Sequence, residues 1–180
     1  MTRGKAHGAN RQYQLECRDV LTFRDPQLVP WLEDGIDVQF NLPDTCWTVD
    51  VALRNPLGKL VVAECRRTID AVKQEDIAAF AYKVELLRKT LGIPVAGVFM
   101  AKKSLQIGAV KVGQFNGIDL VILEEGVGPP GFGITFLRYD KEREKKSRDI
   151  IFHVAPFSIS LKGAAAKLTH RKTSGESESR

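Results

Sequence analysis

The sequence predicts a mixed α/β domain, a β-sheet flanked by helices, and three observations carry the prediction. Alternating apolar residues mark three consecutive strands between positions 36 and 66. A strong helical period follows at 74–91. Two short apolar runs, 95–100 and 118–123, the second interrupted only by Asp119, then read as buried strands of the kind that parallel sheets contain. The order is β-β-β-α-β-α-β, which packs best as a mixed sheet with helices on both faces.

The elements are justified in turn. The first eleven residues are small, polar and basic and read as a mobile N-terminal arm. Asp25 before Pro26 supplies an N-cap and a proline at the first helical position, so a short helix is expected there, bent by Pro30. "IDVQFNL" alternates as a strand, and "TVDVAL" and "KLVVAEC" make two more around the turn residues "RNPLG". In the helix at 74–91, Ile77, Phe80, Ala81, Val84, Leu87 and Leu91 share one face, and Gly92 with Pro94 stops it. "VAGVFM" is a buried strand, "KSLQIGAVKVGQFNG" a short helix and "IDLVIL" another buried strand. After the flexible "GVGPPGFG" come "ITFLRY" and "IIFHVAPFSISL", candidates for a C-terminal edge hairpin. Residues 12–160 thus read as one domain with its core at 36–123, and 161–180 as a disordered basic tail.

Composition narrows the function. At 180 residues with 43% hydrophobic content, the chain suits a single core. Its apolar runs are far shorter than the ~20 residues a membrane helix needs, so a cytoplasmic protein with no membrane contact is expected. Cys17, Cys46 and Cys65 are odd in number and form no CxxC pair, which argues against a disulfide framework or a zinc site. The histidines His7, His153 and His170 lie away from Cys65, which argues against a thiol enzyme. Charge is uneven: 1–140 holds 17 basic and 17 acidic residues, whereas 141–180 holds 10 and 5. Lys141, Arg143, Lys145 and Lys146 in that basic stretch are candidates for tracking a phosphate backbone, the alternative being a solvated charged face. Trp31 and Trp47 could stack on a base or simply pack at the core and rim.

The stretch "WTVDVALRNPLGKLVVAECRRT" sets two carboxylates inside apolar strands. If the turn centres on Leu57, paired positions sum to twice 57, or 114, and Asp50 faces Glu64. Alternation then places Asp50, Glu64 and Arg66 on one face and Val49, Val51, Val61, Ala63 and Cys65 on the other. Like charges at ~5 Å destabilise unless something positive lies between them. A divalent cation, Mg2+ or Mn2+, meets that need and keeps positions open for a phosphate oxygen and a water, with Arg66 to balance charge building on phosphorus. The alternative is a solvent-facing Asp and Glu neutralised by Arg66 as an ion pair.

The pattern "TVDVALRNPLGKLVVAECRRTIDAVKQEDIAAFAYKVELL" resembles the core of the PD-(D/E)XK nuclease superfamily, especially its Mrr-type restriction-endonuclease-like branch. The resemblance spans 36–123 and implies a restriction-endonuclease-like sheet and magnesium-dependent hydrolysis of DNA. It implies metal ligation by Asp50, Glu64 and the main-chain carbonyl of Cys65. The family's lysine falls where this chain has Arg66, and arginine stays charged and cannot act as a base. Arg66 therefore points either to a catalyst in which it stabilises the phosphorane, or to an inactive module that binds nucleic acid or a protein. Lys73 or Lys83 could stand in for the lysine, with Gln74 and Glu75 assisting at the helix start, and Arg67 joins the candidate phosphate contacts. The family's long N-terminal helix, which carries a further acidic residue, is expected to be broken here by prolines, leaving Glu16 a distant candidate. RNA as substrate, and a small α/β domain with a merely structural acidic pair, stay open. Without an obvious recognition domain, a homodimer or a partner targeting subunit is expected.

Overall fold

Three alternating segments pair into a meander, and everything after them builds outward from its third strand. The computed structural model describes residues 3–43, 45–125, 132–140 and 145–154. The elements are α1 (Arg3–Arg24), β1 (Val29–Pro30), β2 (Ile36–Leu42), β3 (Thr45–Arg54), β4 (Leu60–Arg66), α2 (Gln74–Leu91), β5 (Val95–Ala101), α3 (Ile107–Phe115), β6 (Ile118–Glu125), β7 (Phe132–Asp140) and β8 (Lys145–Val154). One mixed sheet runs β1-β3-β4-β5-β6-β7-β8, with β2 also pairing with β3. β4, β5 and β6 are parallel and the remaining pairs antiparallel. The expected β-β-β-α-β-α-β order is present, and the C-terminal hairpin is β7 and β8. Residues 126–131, the greater part of the expected glycine-rich loop, and the tail from 155 lie outside the described residues.

The sheet separates two apolar layers. Under α2 and α3, and packed by Phe80 of α2, lie Trp47, Val49, Ala52, Leu60, Val62, Phe99 and Leu120, among others. On the opposite face Tyr13, Cys17 and Leu21 of α1 cover Val51, Leu53, Ala63, Val98, Met100 and Leu123. α2 occupies the span its periodicity implies. Lys73 precedes it with an extended backbone, its N–H donating to Asp76 Oδ2 at 3.2 Å, and Gly92 ends it in the left-handed region at φ +64°. Among the described residues no helix is long and apolar enough to cross a membrane.

The N-terminal expectations need correction. α1 is an uninterrupted 22-residue helix, Arg3–Arg24. The prolines do not break it, because Pro26 and Pro30 come after its last turn. Asp25 starts no helix either: its N–H closes on Leu21 O at 3.0 Å, its carbonyl accepts from Leu28, and Val29–Pro30 pair with Arg54 and Leu53 as an edge strand. Proline is tolerated at that edge, where the ladder asks nothing of its missing N–H.

Candidate active site

The register places the acidic pair. Val51, Ala52, Leu53 and Arg54 pair with Ala63, Val62, Val61 and Leu60, each pair summing to 114 as the turn at Leu57 requires. Asp50 lies one step beyond the last pair. There the ladder opens, and the Cys65 N–H donates to Asp50 Oδ2 at 2.6 Å. A side-chain carboxylate has taken the place of a main-chain acceptor and fixes Asp50 against β4.

The single-face expectation is corrected here. Val49 packs in the layer under α2, but Val51 packs in the layer under α1. β3 therefore changes face at Asp50. β2 does the same at Asp37, since Ile36 belongs to the α1 layer and Val38 to the α2 layer. In β2 the change falls at Asp37, whose backbone sits at φ +52°, a left-handed conformation that aspartate tolerates better than most residues. The register Ile36↔Val51 and Val38↔Val49 sets these two aspartates opposite each other. Gln14 of α1 reaches between them, its Nε2 donating to Asp50 Oδ1 at 2.9 Å and to Asp37 Oδ1 at 2.8 Å. Arg11 adds a longer contact of 3.5 Å to Asp37 Oδ2 and a 2.6 Å pair with Asp34.

Glu64 is one residue short of the Cys65 amide, with its side chain only 14% exposed. Arg66 Nη2 lies 3.0 Å from Glu64 Oε1, and the guanidinium is nearly half exposed, at 46%. Burial pushes the Asp50 carboxyl above its ordinary range, opposed mainly by the hydrogen bonds from Cys65 and Gln14. Burial also raises Glu64, and the charge of Asp50 raises it further, with Arg66 and then Lys83 pulling the other way. Two half-desolvated carboxylates thus repel each other with one arginine in contact, an arrangement that welcomes added positive charge.

Lys83 lies on α2 with its Nζ 5.5 Å from the centre of the Trp47 ring, and its charge is felt at Glu64. Of the two candidate stand-ins for a strand lysine, it is the one the fold brings to the acidic pair. Lys73 serves as the exposed start of α2. Gln74 turns to Glu75 at 3.5 Å and covers Gly108 of α3. Glu16 accepts from Gln12 at 3.2 Å along its own helix, and it is Gln14 that meets Asp50. Arg67 is exposed in the loop after β4. That loop is tied to the one after β5 by the Val72↔Leu105 bridge, with Val72 N–H on Ser104 O at 3.1 Å and Gln106 N–H on Val72 O at 3.0 Å. Lys145 and Lys146 lie on β8, opposite Asp140 and Tyr139. Lys141 and Arg143 fall outside the described residues. Trp47 is core, edge-on to Phe80 at 6.0 Å, and Trp31 packs partly buried beside Phe40 at 6.1 Å.

The Cys65 thiol is pushed well up by burial and by its neighbour Cys17, the reverse of what a thiolate nucleophile needs. Among the described residues no three His, Cys, Asp or Glu side chains converge as a metal-ligand group. A cation here would rest on Asp50, Glu64 and main-chain oxygen. That donor set fits a hard ion such as Mg2+ or Mn2+, which binds through one or two carboxylates and keeps its waters.

No family model and no curated protein matches the chain. Solved structures do. A repair endonuclease from Pyrococcus abyssi aligns at 23% identity and TM-score 0.44 over 59% of this chain and 45% of that one. EndoMS in a complex with double-stranded DNA aligns at 24% and 0.43 over 59% and 43%. EndoMS in its apo form aligns at 26% and 0.37 over 58% and 42%. The chain spans less than half the length of each of these.

Sequence reading missed Gln14 and Asp37. Gln14 was within reach: Tyr13, Cys17 and Leu21 recur every four residues and mark the face of a helix beside which Gln14 must lie. Asp37 carried no such signal, since a left-handed backbone at the second residue of an alternating strand leaves no trace in the pattern.

Proposed function

We propose that this chain is a magnesium- or manganese-dependent nuclease of the PD-(D/E)XK type that hydrolyses DNA phosphodiester bonds by attack of water. The observation that carries the reading is the juxtaposition of two partly buried carboxylates, Asp50 and Glu64, both raised by burial, with Arg66 and Lys83 close by. Asp50 and Glu64, with the carbonyl of Cys65, would hold the ion. When bound, such an ion polarises phosphoryl oxygens and lowers the pKa of its water. The chain's own contribution is positional. The Cys65 amide and Gln14 fix Asp50 before substrate arrives. Arg66, half exposed, can swing from Glu64 to a phosphate and offset charge developing on its oxygens. Lys83 offers the compact ammonium that arginine cannot, on α2 instead of on the strand.

One observation favours a second reading. Arg66 already pairs with Glu64 at 3.0 Å, where a cation would otherwise draw on that carboxylate. In that case the chain is an inactive nuclease-fold module that binds nucleic acid or a protein, and a homodimer or targeting subunit would complete its role.

Nicking of supercoiled plasmid with magnesium or manganese separates the two. We expect nicking by the wild-type chain, reduced at least about a hundredfold by Glu64→Ala and strongly by Arg66→Ala. Nicking that survives Glu64→Ala rejects the assignment. No nicking by wild type with clear nicking by Arg66→Lys selects the inactive module. RNA in place of DNA is the parallel arm of the same assay.

A further inference from the structure

Asp50 is opposed by a like charge on each side. Toward β4 it meets Glu64, whose partner is Arg66. Toward β2 it meets Asp37, and the group between them is the amide of Gln14, 2.9 Å from Asp50 Oδ1 and 2.8 Å from Asp37 Oδ1. Two carboxylate oxygens held at hydrogen-bond distance from a common point are what a bridging cation requires. Only the NH2 end of a glutamine can face two such acceptors, because its oxygen would repel both. The amide is neutral, so it satisfies the oxygens without adding charge, and Arg11 offsets Asp37 from its outer side at 3.5 Å. α1 is anchored by buried Tyr13 and Cys17, which flank Gln14 along the helix, so the amide is not free to drift away.

We propose that Gln14 confines this centre to one divalent cation, its amide taking between Asp37 and Asp50 the place a second ion would hold. The inference rests on the metal-dependent reading above. It makes Gln14 a positioning residue: it keeps Asp50 turned toward Glu64 and closes the β2 side to metal.

Manganese titration followed by calorimetry and by electron paramagnetic resonance tests this without reference to turnover. The wild-type chain should bind close to one ion, lost in Glu64→Ala. Gln14→Glu turns the donor into a third carboxylate beside Asp37 and Asp50 and should raise the stoichiometry to about two, with broadening from two nearby manganese ions. Adding Asp37→Asn to that variant should return it to one. Gln14→Met, of similar length but without a donor, should also admit a second, weaker ion and decides the matter should Gln14→Glu not fold, as judged by far-ultraviolet circular dichroism. One ion on wild type and on both folded Gln14 variants overturns the role of Gln14 and leaves the metal reading standing. Two ions on wild type, one of them lost with Asp37→Asn, also overturn it. No manganese on wild type overturns the metal reading itself.

Discussion

Glu64 is a carboxylate that the fold holds at a disadvantage. Burial and the charge of Asp50 raise its pKa above the ordinary 4.5, and burial raises Asp50 above 3.8. The folded chain therefore binds protons more tightly at these groups than the unfolded chain, and stability falls as pH rises from those ordinary values through the raised ones. Glu64→Gln removes the buried charge. It also removes the ion pair with Arg66, but a half-exposed pair contributes at most about 1 kcal/mol. In a metal-free buffer we expect Glu64→Gln to gain about 1 kcal/mol at neutral pH, or roughly 2–4 °C in Tm, and to flatten the fall in stability between mildly acidic and neutral pH. Thermal melts across that range check it, and an unchanged slope would discard the explanation. At this scale the sequence was informative where chemistry repeats a pattern: Asp50, Glu64 and Arg66 stand out as charges within apolar strands. For Gln14 the period of Tyr13, Cys17 and Leu21 shows its place beside a buried helix face but not its role, because the aspartates it bridges are placed only by the fold.

Among the elements, α2 and the β3-β4 register were legible because each is set by local arithmetic, the helical period in one case and the turn centre in the other. α1 was obscured because Pro26 and Pro30 were read as interrupting a helix that ends just before them. The face change in β2 and β3 was invisible for a different reason: alternation assumes a uniform pleat, which the left-handed backbone at Asp37 breaks in β2 and which β3 breaks opposite it at Asp50. Packing between elements yields its own prediction. α2 lies so close on β5 that a Cβ on Gly97 would come 2.7 Å from Ile118 Cδ1, 2.9 Å from Val84 Cγ2 and 3.1 Å from Phe80 Cε1. Val84 and Phe80 face that point from α2, and Val84 has little rotamer freedom in a helix. Gly97→Ala should cost about 1–3 kcal/mol, seen as a lower urea midpoint with unchanged m-value.

For the molecule as a whole, β3 belongs to both apolar layers, with Trp47 and Val49 under α2 and Val51 and Leu53 under α1. Neither layer can melt without withdrawing support from a strand the other needs. Unfolding should therefore be a single cooperative step. Both tryptophans report on the α2 side, while Cys17, 0% exposed, reports on the α1 side. In a Cys46→Ser, Cys65→Ala background, which leaves Cys17 as the thiol to be labelled, thiol labelling and tryptophan fluorescence should share one urea midpoint. Labelling that begins at distinctly lower urea would mean that α1 detaches first.

The strand order carries one last consequence, a ruler for the nucleic-acid contact proposed above. β8, with Lys145 and Lys146, stands four places along the sheet from β4, with Glu64 and Arg66. At ~4.8 Å per strand that is about 19 Å across the sheet. The row of Arg66 runs through Ala101, Ile122 and Thr135 to Ile151, so Lys146 and Lys145 stand a further ~18 Å along β8, roughly 26 Å in all. A nucleic acid touching both must have a footprint of at least about eight base pairs at 3.4 Å each. A shorter oligonucleotide can engage one end or the other, and only a longer one can bridge them.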